Sequence, residues 1–171
     1  AENIKYLKDC LFSLRSKNKW GIYSAMEAKV LTEFIYDEIW VDKNNSTLLA
    51  KRNNKTGKLS EEGEEVHNIL SLNLGENVSV IQCFDKVGIQ NKETNEWLLP
   101  MEYQQFKKAG TYILFCKGYQ WGLMDMNFHI LIEAKYKMMK IWNPDIFIVA
   151  EIQYKYYGYN RYPKTQYGII S

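Results

Sequence analysis

The side chains suited to metal or acid–base chemistry are few and scattered. The only two histidines are His67 and His129, and neither is followed at two to five residues by a second histidine or cysteine. The acidic run at residues 61–65 lacks the longer alternation of ligands that a calcium loop needs, and we interpret it as a solvated turn. Serine-nucleophile and phosphate-loop motifs are absent. The sequence therefore predicts no catalytic residue, no metal site, no cofactor and no enzyme activity.

The three cysteines, Cys10, Cys83 and Cys116, cannot all pair within the chain. Cys83 and Cys116 each lie near the end of an apolar run typical of a strand, where a buried free thiol is the commoner state. We therefore predict reduced, structural cysteines.

A tyrosine-rich segment offers the chemistry of binding rather than of catalysis. Tyrosine and arginine are enriched among the residues that dominate protein interfaces. One interpretation is an inserted binding loop, and the other is an extended hairpin whose tyrosines pack on their neighbours. The candidate binding residues are Tyr154, Tyr156, Tyr157, Tyr159, Arg161 and Tyr162.

Net charge and hydropathy limit the classes of partner that the sequence predicts. The 22 basic and 20 acidic residues nearly cancel, which argues against nucleic acid or an anionic membrane as partner. The longest apolar runs, such as residues 146–150, are about a quarter of a membrane span, so we expect no membrane insertion. The N-terminus shows no signal-like apolar stretch. We expect a cytoplasmic protein, or a periplasmic one if a signal preceded Ala1.

The elements that position these residues follow a repeat. A five-residue motif, Asn18-Lys19-Trp20-Gly21-Ile22, recurs four times in degenerate form. Its central glycine recurs at intervals of 36, 31, 34 and 46 residues. An apolar run precedes each copy of the motif, and the motif itself is the second strand-like segment of the unit. A third strand-like run follows most copies. In three copies that run closes on a tyrosine (Tyr36, Tyr103 or Tyr136), 15, 15 and 14 residues after the glycine. The marker glycines are Gly21, Gly57, Gly88, Gly122 and Gly168.

Each copy of the motif is predicted to form a strand. A glycine within a strand usually marks a bulge or a close approach of another backbone. We expect Trp20 and Trp121 to lie across a neighbouring unit whose backbone passes over the glycine, with Tyr167 as the last aromatic marker. The prediction is an all-β single domain over residues 1–171. It has four to five stacked antiparallel three-stranded units in an elongated, twisted, solenoid-like body, or alternatively a propeller-like ring.

These residues resemble the WG-repeat (KWG-repeat) family of bacterial proteins. The pattern of that family runs from an apolar strand through Lys-Trp-Gly-aliphatic to an aliphatic-Pro pair and a closing Lys-Tyr-Asp. Thr56 and Val87 replace the tryptophan, and the unit marked by Gly57 lacks the closing tyrosine. The resemblance implies an all-β repeat fold with a binding or scaffolding role, and no reaction. The matching segments are Lys19-Trp20-Gly21-Ile22, Tyr36-Asp37, Leu99-Pro100, Tyr103 and Ala134-Lys135-Tyr136.

Together these features predict a non-catalytic protein-interaction module. A specific form is a bacterial immunity or inhibitor protein that binds a cognate toxin, and the alternative is a carbohydrate- or peptide-binding module that uses exposed aromatic residues. The chain lacks a third strand after Gly168. That edge is expected to be closed by further chain, by the N-terminal segment, or by a partner through strand addition.

Overall fold

The computed structural model describes residues 3–143, 146–157 and 160–170, and their fold is all-β. These residues contain no helix and form five small antiparallel sheets. The predicted all-β class with four to five antiparallel repeat units is therefore confirmed. No helix long and apolar enough to cross a bilayer occurs in this part of the chain.

The strands follow one another within each sheet in chain order. Sheet 1 contains β1 (Ile4–Lys8), β2 (Leu11–Ser16), β3 (Lys19–Ser24) and β4 (Lys29–Val30). Sheet 2 contains β5 (Glu38–Val41), β6 (Leu48–Arg52), β7 (Lys55–Leu59) and β8 (Glu65–Val66). Sheet 3 contains β9 (Asn68–Leu70), β10 (Val78–Cys83), β11 (Lys86–Asn91) and β12 (Trp97–Tyr103). Sheet 4 contains β13 (Gln105–Ala109), β14 (Tyr112–Lys117), β15 (Gln120–Asp125) and β16 (Ile130–Tyr136). Sheet 5 contains β17 (Met138–Asn143), β18 (Ile146–Tyr157) and β19 (Asn160–Ile170).

Tight turns fix the central hairpin of these sheets. In sheets 1, 2 and 4 two residues join the paired strands, and both have positive φ. This geometry matches the right-handed twist of the strands and favours asparagine and glycine. The turn residues are Lys17-Asn18, Asn53-Asn54 and Gly118-Tyr119.

Four of the five sheets have one strand more than the three that the sequence predicts. The segment after each closing tyrosine, which has no strand-like pattern, pairs as the outermost strand of the next sheet. The sequence does not reveal this outermost strand, because only one of its faces is covered. In β13, for example, only Phe106 is buried. A short strand of this kind presents no apolar run.

The chain forms two compact units. Unit 1 comprises Ala1–Asn68 with Gln82–Asp85, and unit 2 comprises Ile69–Ile81 with Lys86–Ser171. In unit 2, sheets 3 and 4 share an apolar core that includes Ile89 and Phe115, and sheets 4 and 5 share a second one. The residues of the second core are Leu114, Leu123, Tyr136, Met139, Phe147 and Val149.

The closing tyrosines occupy one register position. In each of sheets 1, 3 and 4 the tyrosine pairs with the residue before the marker glycine, as Trp121 pairs with Tyr136. Two residues further along β15, Leu123 pairs with Ile132, so four residues of β16 oppose two of β15. Strands β11 and β12 repeat this two-residue bulge between Val87 and Ile89. The bulge explains the constant spacing seen in the sequence.

The bulge also explains the glycine. A methyl group added to the marker glycine would approach a carbonyl oxygen of the segment that follows in the same sheet, at distances of 3.1, 3.0 and 2.6 Å in sheets 1, 3 and 4. The prediction that a neighbouring unit passes over the glycine is therefore wrong, because the sheet folds back over its own glycine. The tryptophan rings lie close to lysines of their own sheets, Lys5 of β1 and Lys107 of β13, and Trp121 also packs against the core that sheets 4 and 5 share, as predicted. The glycine–oxygen pairs are Gly21–Thr32, Gly88–Leu99 and Gly122–Ile132.

The residue after the closing tyrosine holds the next hairpin. A carboxylate oxygen of Asp37 accepts a hydrogen bond from the backbone N–H of Asn53 at 3.0 Å. The side-chain oxygen of Gln104 likewise accepts a hydrogen bond, at 3.3 Å, from the backbone N–H of Tyr119 in the turn between β14 and β15. Side chains with an acceptor oxygen are thus suited to this position.

Candidate functional site

Sheet 5 departs from the other four sheets at its C-terminal strand. Among the described residues, β19 has a single hydrogen-bonded neighbour, β18, and it lacks the fourth strand that follows the glycine strand in every other sheet. In this part of the chain one side of the β19 backbone has no paired strand, and such an edge can accept a strand of the same chain or of a partner.

The marker glycine of this strand is uncovered. Gly168 is exposed, whereas Gly21, Gly57, Gly88 and Gly122 are buried. A methyl group on Gly168 would meet only a methyl carbon of Val149, at the ordinary contact distance of 3.6 Å. The space that the bulged segment occupies above Gly21, Gly88 and Gly122 is thus open above Gly168.

The side chains beside this glycine are apolar and exposed. Tyr167 is 68% exposed and Ile169 is 73% exposed. At the same positions around Gly122 in sheet 4, Trp121 is half-buried and Leu123 is only 2% exposed. Sheet 5 therefore presents to solvent a pair of residues that other sheets of this chain cover.

A cleft lies beside the exposed glycine. It has a volume of about 220 Å³, and its walls come from β18, β19 and the end of β16. Val149 and Ile170 provide apolar surface, whereas Glu151 and Gln166 provide polar groups. The cleft therefore combines apolar and polar surface, and Tyr136 forms part of its wall.

The tyrosine-rich segment forms the far part of the same hairpin. Strands β18 and β19 pair over eleven residue pairs, from Phe147–Ile170 to Tyr157–Asn160, whereas β14 and β15 pair over six. The extra 12 residues found in the sequence therefore lengthen both strands of a hairpin. The predicted binding residues Tyr154, Tyr156, Tyr157, Tyr159, Arg161 and Tyr162 lie outside the residues whose side chains the structure describes.

A polar cluster in unit 1 was missed by the sequence analysis. Arg52 pairs with both carboxylate oxygens of Glu65. Glu65 also accepts hydrogen bonds from the Tyr36 hydroxyl at 3.2 Å and from the Cys83 thiol at 3.1 Å. The interpretation of residues 61–65 as a solvated turn is therefore wrong at Glu65, which lies in β8.

The electrostatics of this cluster favour packing over catalysis. Burial, assisted by Glu65, raises the pKa of the Cys83 thiol to about 12. Burial, again assisted by Glu65, raises the pKa of the Tyr36 hydroxyl well above its ordinary value. Both groups remain protonated at neutral pH and act as donors to the carboxylate. A thiol in this state is a poor nucleophile, because the thiolate is the reactive form.

The same cluster compensates for the irregular second repeat. The guanidinium of Arg52 lies 4.6 Å from the centre of the Phe84 ring, at a distance that allows a cation–π interaction. That ring covers Gly57, since a methyl group there would lie 2.7 Å from it. In sheet 2 a side chain thus replaces the bulged strand, which fits the absence of a closing tyrosine in this repeat.

The two histidines lie in different compact units of the chain, His67 in unit 1 and His129 in unit 2. His129 is mostly exposed, and its Nδ1 lies 3.1 Å from a carboxylate oxygen of Asp125 in the turn between β15 and β16. His67 is also exposed. The described part of the chain holds no group of three or more metal-ligating side chains. Cys83 and Cys116 are buried, as predicted, and Cys10 is exposed.

Comparisons with known proteins add no functional assignment. No protein-family model and no curated protein matches the chain. Among solved structures it is similar to Kluyveromyces lactis Hsv2 (9% identity, TM-score 0.32, 86% of this chain and 56% of that one). It is also similar to the N-terminal domain of Nup159 (11%, 0.34, 98% and 57%) and to the Neurospora crassa Pan2 WD40 domain (13%, 0.31, 98% and 61%). The chain spans less than two thirds of each.

Proposed function

We propose that this protein is a non-catalytic protein-interaction module of the WG-repeat type and that it binds its partner with sheet 5. The observation that carries the proposal is the exposure of two large apolar side chains, Tyr167 and Ile169, on β19. Covering apolar side chains removes their surface from water, which favours association. A protein partner can supply apolar groups and backbone hydrogen-bonding groups at the same time.

The WG-repeat assignment is supported by the physical role of the motif residues. Lys19 and Asp37, near the two ends of the motif, form an ion pair in sheet 1. Tyr36 is buried, and so are Tyr103 and Tyr136 at the matching positions. The glycine admits the bulged segment. Each of these motif residues therefore has a structural role.

The finer form of the proposal is an immunity or inhibitor protein that blocks a toxin. An inhibitor needs a recognition surface and no catalytic groups, and the polar cluster around Glu65 supplies packing rather than reactivity. Co-expression tests this form: the cognate toxin gene should be tolerated only together with the wild-type chain. Toxicity that persists despite production of the wild-type protein would remove the immunity role.

A second candidate is carbohydrate binding, favoured by the exposed rings of Trp142 and Tyr119. Flat aromatic rings can stack on sugars. Retention on a glycan resin that is lost in Trp142→Ala would support this candidate over the first.

Site-specific crosslinking in cells tests the protein-binding proposal. A photoreactive amino acid at Ile169 should crosslink to a partner polypeptide. The same group at Ile69 provides a matched control, because Ile69 is also 73% exposed and also lies in a strand of unit 2. Equal yields of the same product at both positions, or no product at Ile169, would contradict the proposal.

A further inference from the structure

We infer that a cleft between sheets 4 and 5 binds a carboxylate group, and that this group is an aspartate or glutamate side chain of the protein partner. This inference rests on the proposed function and specifies the chemistry of that partner. The described walls of the cleft belong to sheet 4, to the residue after β16 and to β18, and not to β19.

The cleft lies where the turn of sheet 4 meets the long hairpin of sheet 5. Its volume is about 460 Å³. Lys135 and Lys137 contribute two positive charges to its lining, and Glu151 contributes one negative charge. Tyr119, which is 69% exposed, contributes an aromatic surface. The excess of positive charge favours an anionic group. The described lining residues are Tyr119, Gln120, Lys135, Lys137, Glu151 and Ile152.

The corresponding junction between sheets 3 and 4 is closed by its own side chains. Glu102 directly precedes the closing tyrosine of sheet 3 and forms an ion pair with Lys117 at 2.6 Å. Gln104 directly follows that tyrosine, and its side-chain oxygen accepts the hydrogen bond from the N–H of Tyr119. The polar groups at this junction are thus used within the chain.

Lysines occupy the same two places at the junction of sheets 4 and 5. Lys135 directly precedes the closing tyrosine of sheet 4, and Lys137 directly follows it. The backbone N–H of Lys137 donates to the carbonyl of Ala150 at 2.8 Å, which repeats the bond of the same length from Gln104 to Cys116. The two junctions therefore share their backbone pairing and differ in side-chain charge.

The change of charge does not produce an equivalent ion pair. Glu151 takes the place of Lys117, because each lies two residues after the residue that pairs with the marker glycine. Among the described residues, neither Lys135 nor Lys137 forms a salt bridge with a carboxylate. The ammonium group of Lys135 lies 5.1 Å from the centre of the Tyr136 ring. Both lysines can therefore bind an anion without breaking an ion pair of this part of the chain.

The length of the sheet 5 hairpin explains why residue 137 is not needed as an acceptor. In sheet 4 the turn directly follows the pair Lys117–Gln120. In sheet 5 the corresponding pair, Glu151–Gln166, is followed by six further pairs, from Ile152–Thr165 to Tyr157–Asn160. The turn is thus displaced along the hairpin, and the side chain of Lys137 has no adjacent turn to hold.

A carboxylate on a protein side chain fits these walls. Lysine ammonium groups donate charge-assisted hydrogen bonds to carboxylate oxygens. Glu151 repels anions, so a single negative charge fits better than a phosphate group, which carries roughly two at neutral pH. Tyr119 and Ile152 add aromatic and aliphatic surface, which apolar neighbours of an acidic residue can cover. A sugar acid would place hydroxyl groups against that aliphatic surface.

The cleft is close enough to Ile169 for one partner to contact both. The pair Glu151–Gln166 is three residue pairs from Ile148–Ile169, which corresponds to about 10 Å along the sheet. A standard protein interface covers roughly 800 Å² on each partner and extends over more than this distance. An acidic residue of the partner can thus occupy the cleft while its apolar residues cover Ile169.

A titration with a hexaglutamate peptide, acetylated and amidated at its ends, tests the cleft. The isotope-labelled wild-type protein is followed by NMR at low ionic strength, where exposed charges are least screened. We expect saturable shifts of the amide signals of Gln120 and Lys137. The apparent affinity should fall at least tenfold in Lys135→Gln/Lys137→Gln, because both donors are lost. A hexaglutamine peptide should cause no such shifts.

Two further variants separate a specific site from general attraction between charges. Lys108→Gln/Lys140→Gln makes the same change in net charge at two exposed lysines in strands of unit 2, and it should bind hexaglutamate as the wild-type protein does. Glu151→Gln should strengthen binding, on the order of threefold, because it removes a like charge from the cleft. Equal losses in the two double variants, or no shifts in the wild-type protein, would overturn the inference.

Other ligands and a second copy of the chain are outcomes of the same measurements. Tighter binding of tetragalacturonate or of inorganic phosphate than of hexaglutamate would assign the cleft to a sugar acid or a phosphate and overturn the assignment to a protein side chain. Self-association in sedimentation that Lys135→Gln/Lys137→Gln abolishes would identify a second copy as the source of the carboxylate and overturn the assignment to another protein.

Crosslinking at Ile169 distinguishes failure of the cleft from failure of the proposed function. The yield of crosslinked partner should fall at least tenfold when Lys135→Gln/Lys137→Gln is added, and it should not change with Lys108→Gln/Lys140→Gln. An unchanged yield in both would retain the protein interaction and overturn the cleft as its carboxylate site. Hexaglutamate binding without any crosslinked product would retain the carboxylate site and contradict the proposed function.

Discussion

Sheets 4 and 5 are built on the same hairpin but end differently. In both, the marker glycine pairs with an apolar residue of the preceding strand, Phe115 for Gly122 and Val149 for Gly168. In sheet 4 the chain then returns as β16 and passes over the glycine, whereas β19 has no such neighbour among the described residues. The comparison shows that the glycine leaves room for another segment to pass over the strand. In sheet 4 that segment is β16, whereas in sheet 5 no described strand fills the room.

The first way to test the comparison is to truncate the residue after the glycine in each sheet. Leu123→Ala should lower the free energy of unfolding by about 2–5 kcal/mol, because the buried side chain leaves a cavity. Ile169→Ala should change it by less than about 0.5 kcal/mol, because that side chain is already in water. Urea titrations followed by tryptophan fluorescence measure both. Similar losses in the two variants would mean that sheet 5 is covered in solution.

The second test adds a methyl group to each glycine. Gly122→Ala should cost about 1–3 kcal/mol, because the new carbon would lie 2.6 Å from the carbonyl oxygen of Ile132. Gly168→Ala should be neutral or stabilise by about 0.5–1 kcal/mol, because alanine restricts the unfolded chain more than glycine does. Thermal unfolding midpoints of the two variants give the comparison. It fails if Gly168→Ala destabilises as much as Gly122→Ala.

The smallest expected effect concerns the turn that starts the return of β16. The Asp125 carboxylate accepts hydrogen bonds from the backbone N–H groups of His129 and Asn127, at 2.9 and 2.8 Å. The bond from His129 in particular lowers the pKa of Asp125 below its ordinary value. Since the folded-state pKa is the lower one, this contribution is complete above the unfolded-state pKa of about 4 and is lost as the pH falls through the folded-state value.

Asp125→Asn should therefore lower the unfolding midpoint slightly at pH 7, and the difference from wild type should disappear near pH 2. Glu93→Gln, in the corresponding turn of sheet 3, controls for the loss of one negative charge. A difference that persists unchanged at low pH would show that the carboxylate charge does not act in this turn.

Much of the fold was predictable because the repeat consists of apolar runs that favour strands and of polar turn residues that favour tight reversals. The apolar runs before the five glycines coincide with β2, β6, β10, β14 and the first part of β18. The outermost strands could not be predicted in the same way. A strand such as β5 (Glu38–Val41) has four residues, and only Ile39 is buried, so its position is set by pairing with β6 rather than by its own pattern.

The candidate site was predicted in outline only. The sequence shows no third apolar run after Gly168, and among the described residues β19 pairs only with β18. The role of Glu65 was not predictable, because its partners Arg52, Tyr36 and Cys83 are 13, 29 and 18 residues away in sequence. A run of acidic residues in sequence does not show which member has a cation beside it.

The chain-order arrangement of the strands also bears on how the protein forms. Within each sheet, the described strands pair only with the strands next to them in sequence. Each sheet can therefore form through short loops, without a partner strand that is distant in sequence. Folding rates rise as contacting residues become closer in sequence, and we expect this chain to fold faster than sandwiches of similar size. During synthesis each sheet can pair as soon as its own strands have left the ribosome. The N-terminal sheets would then be in place before β19 emerges.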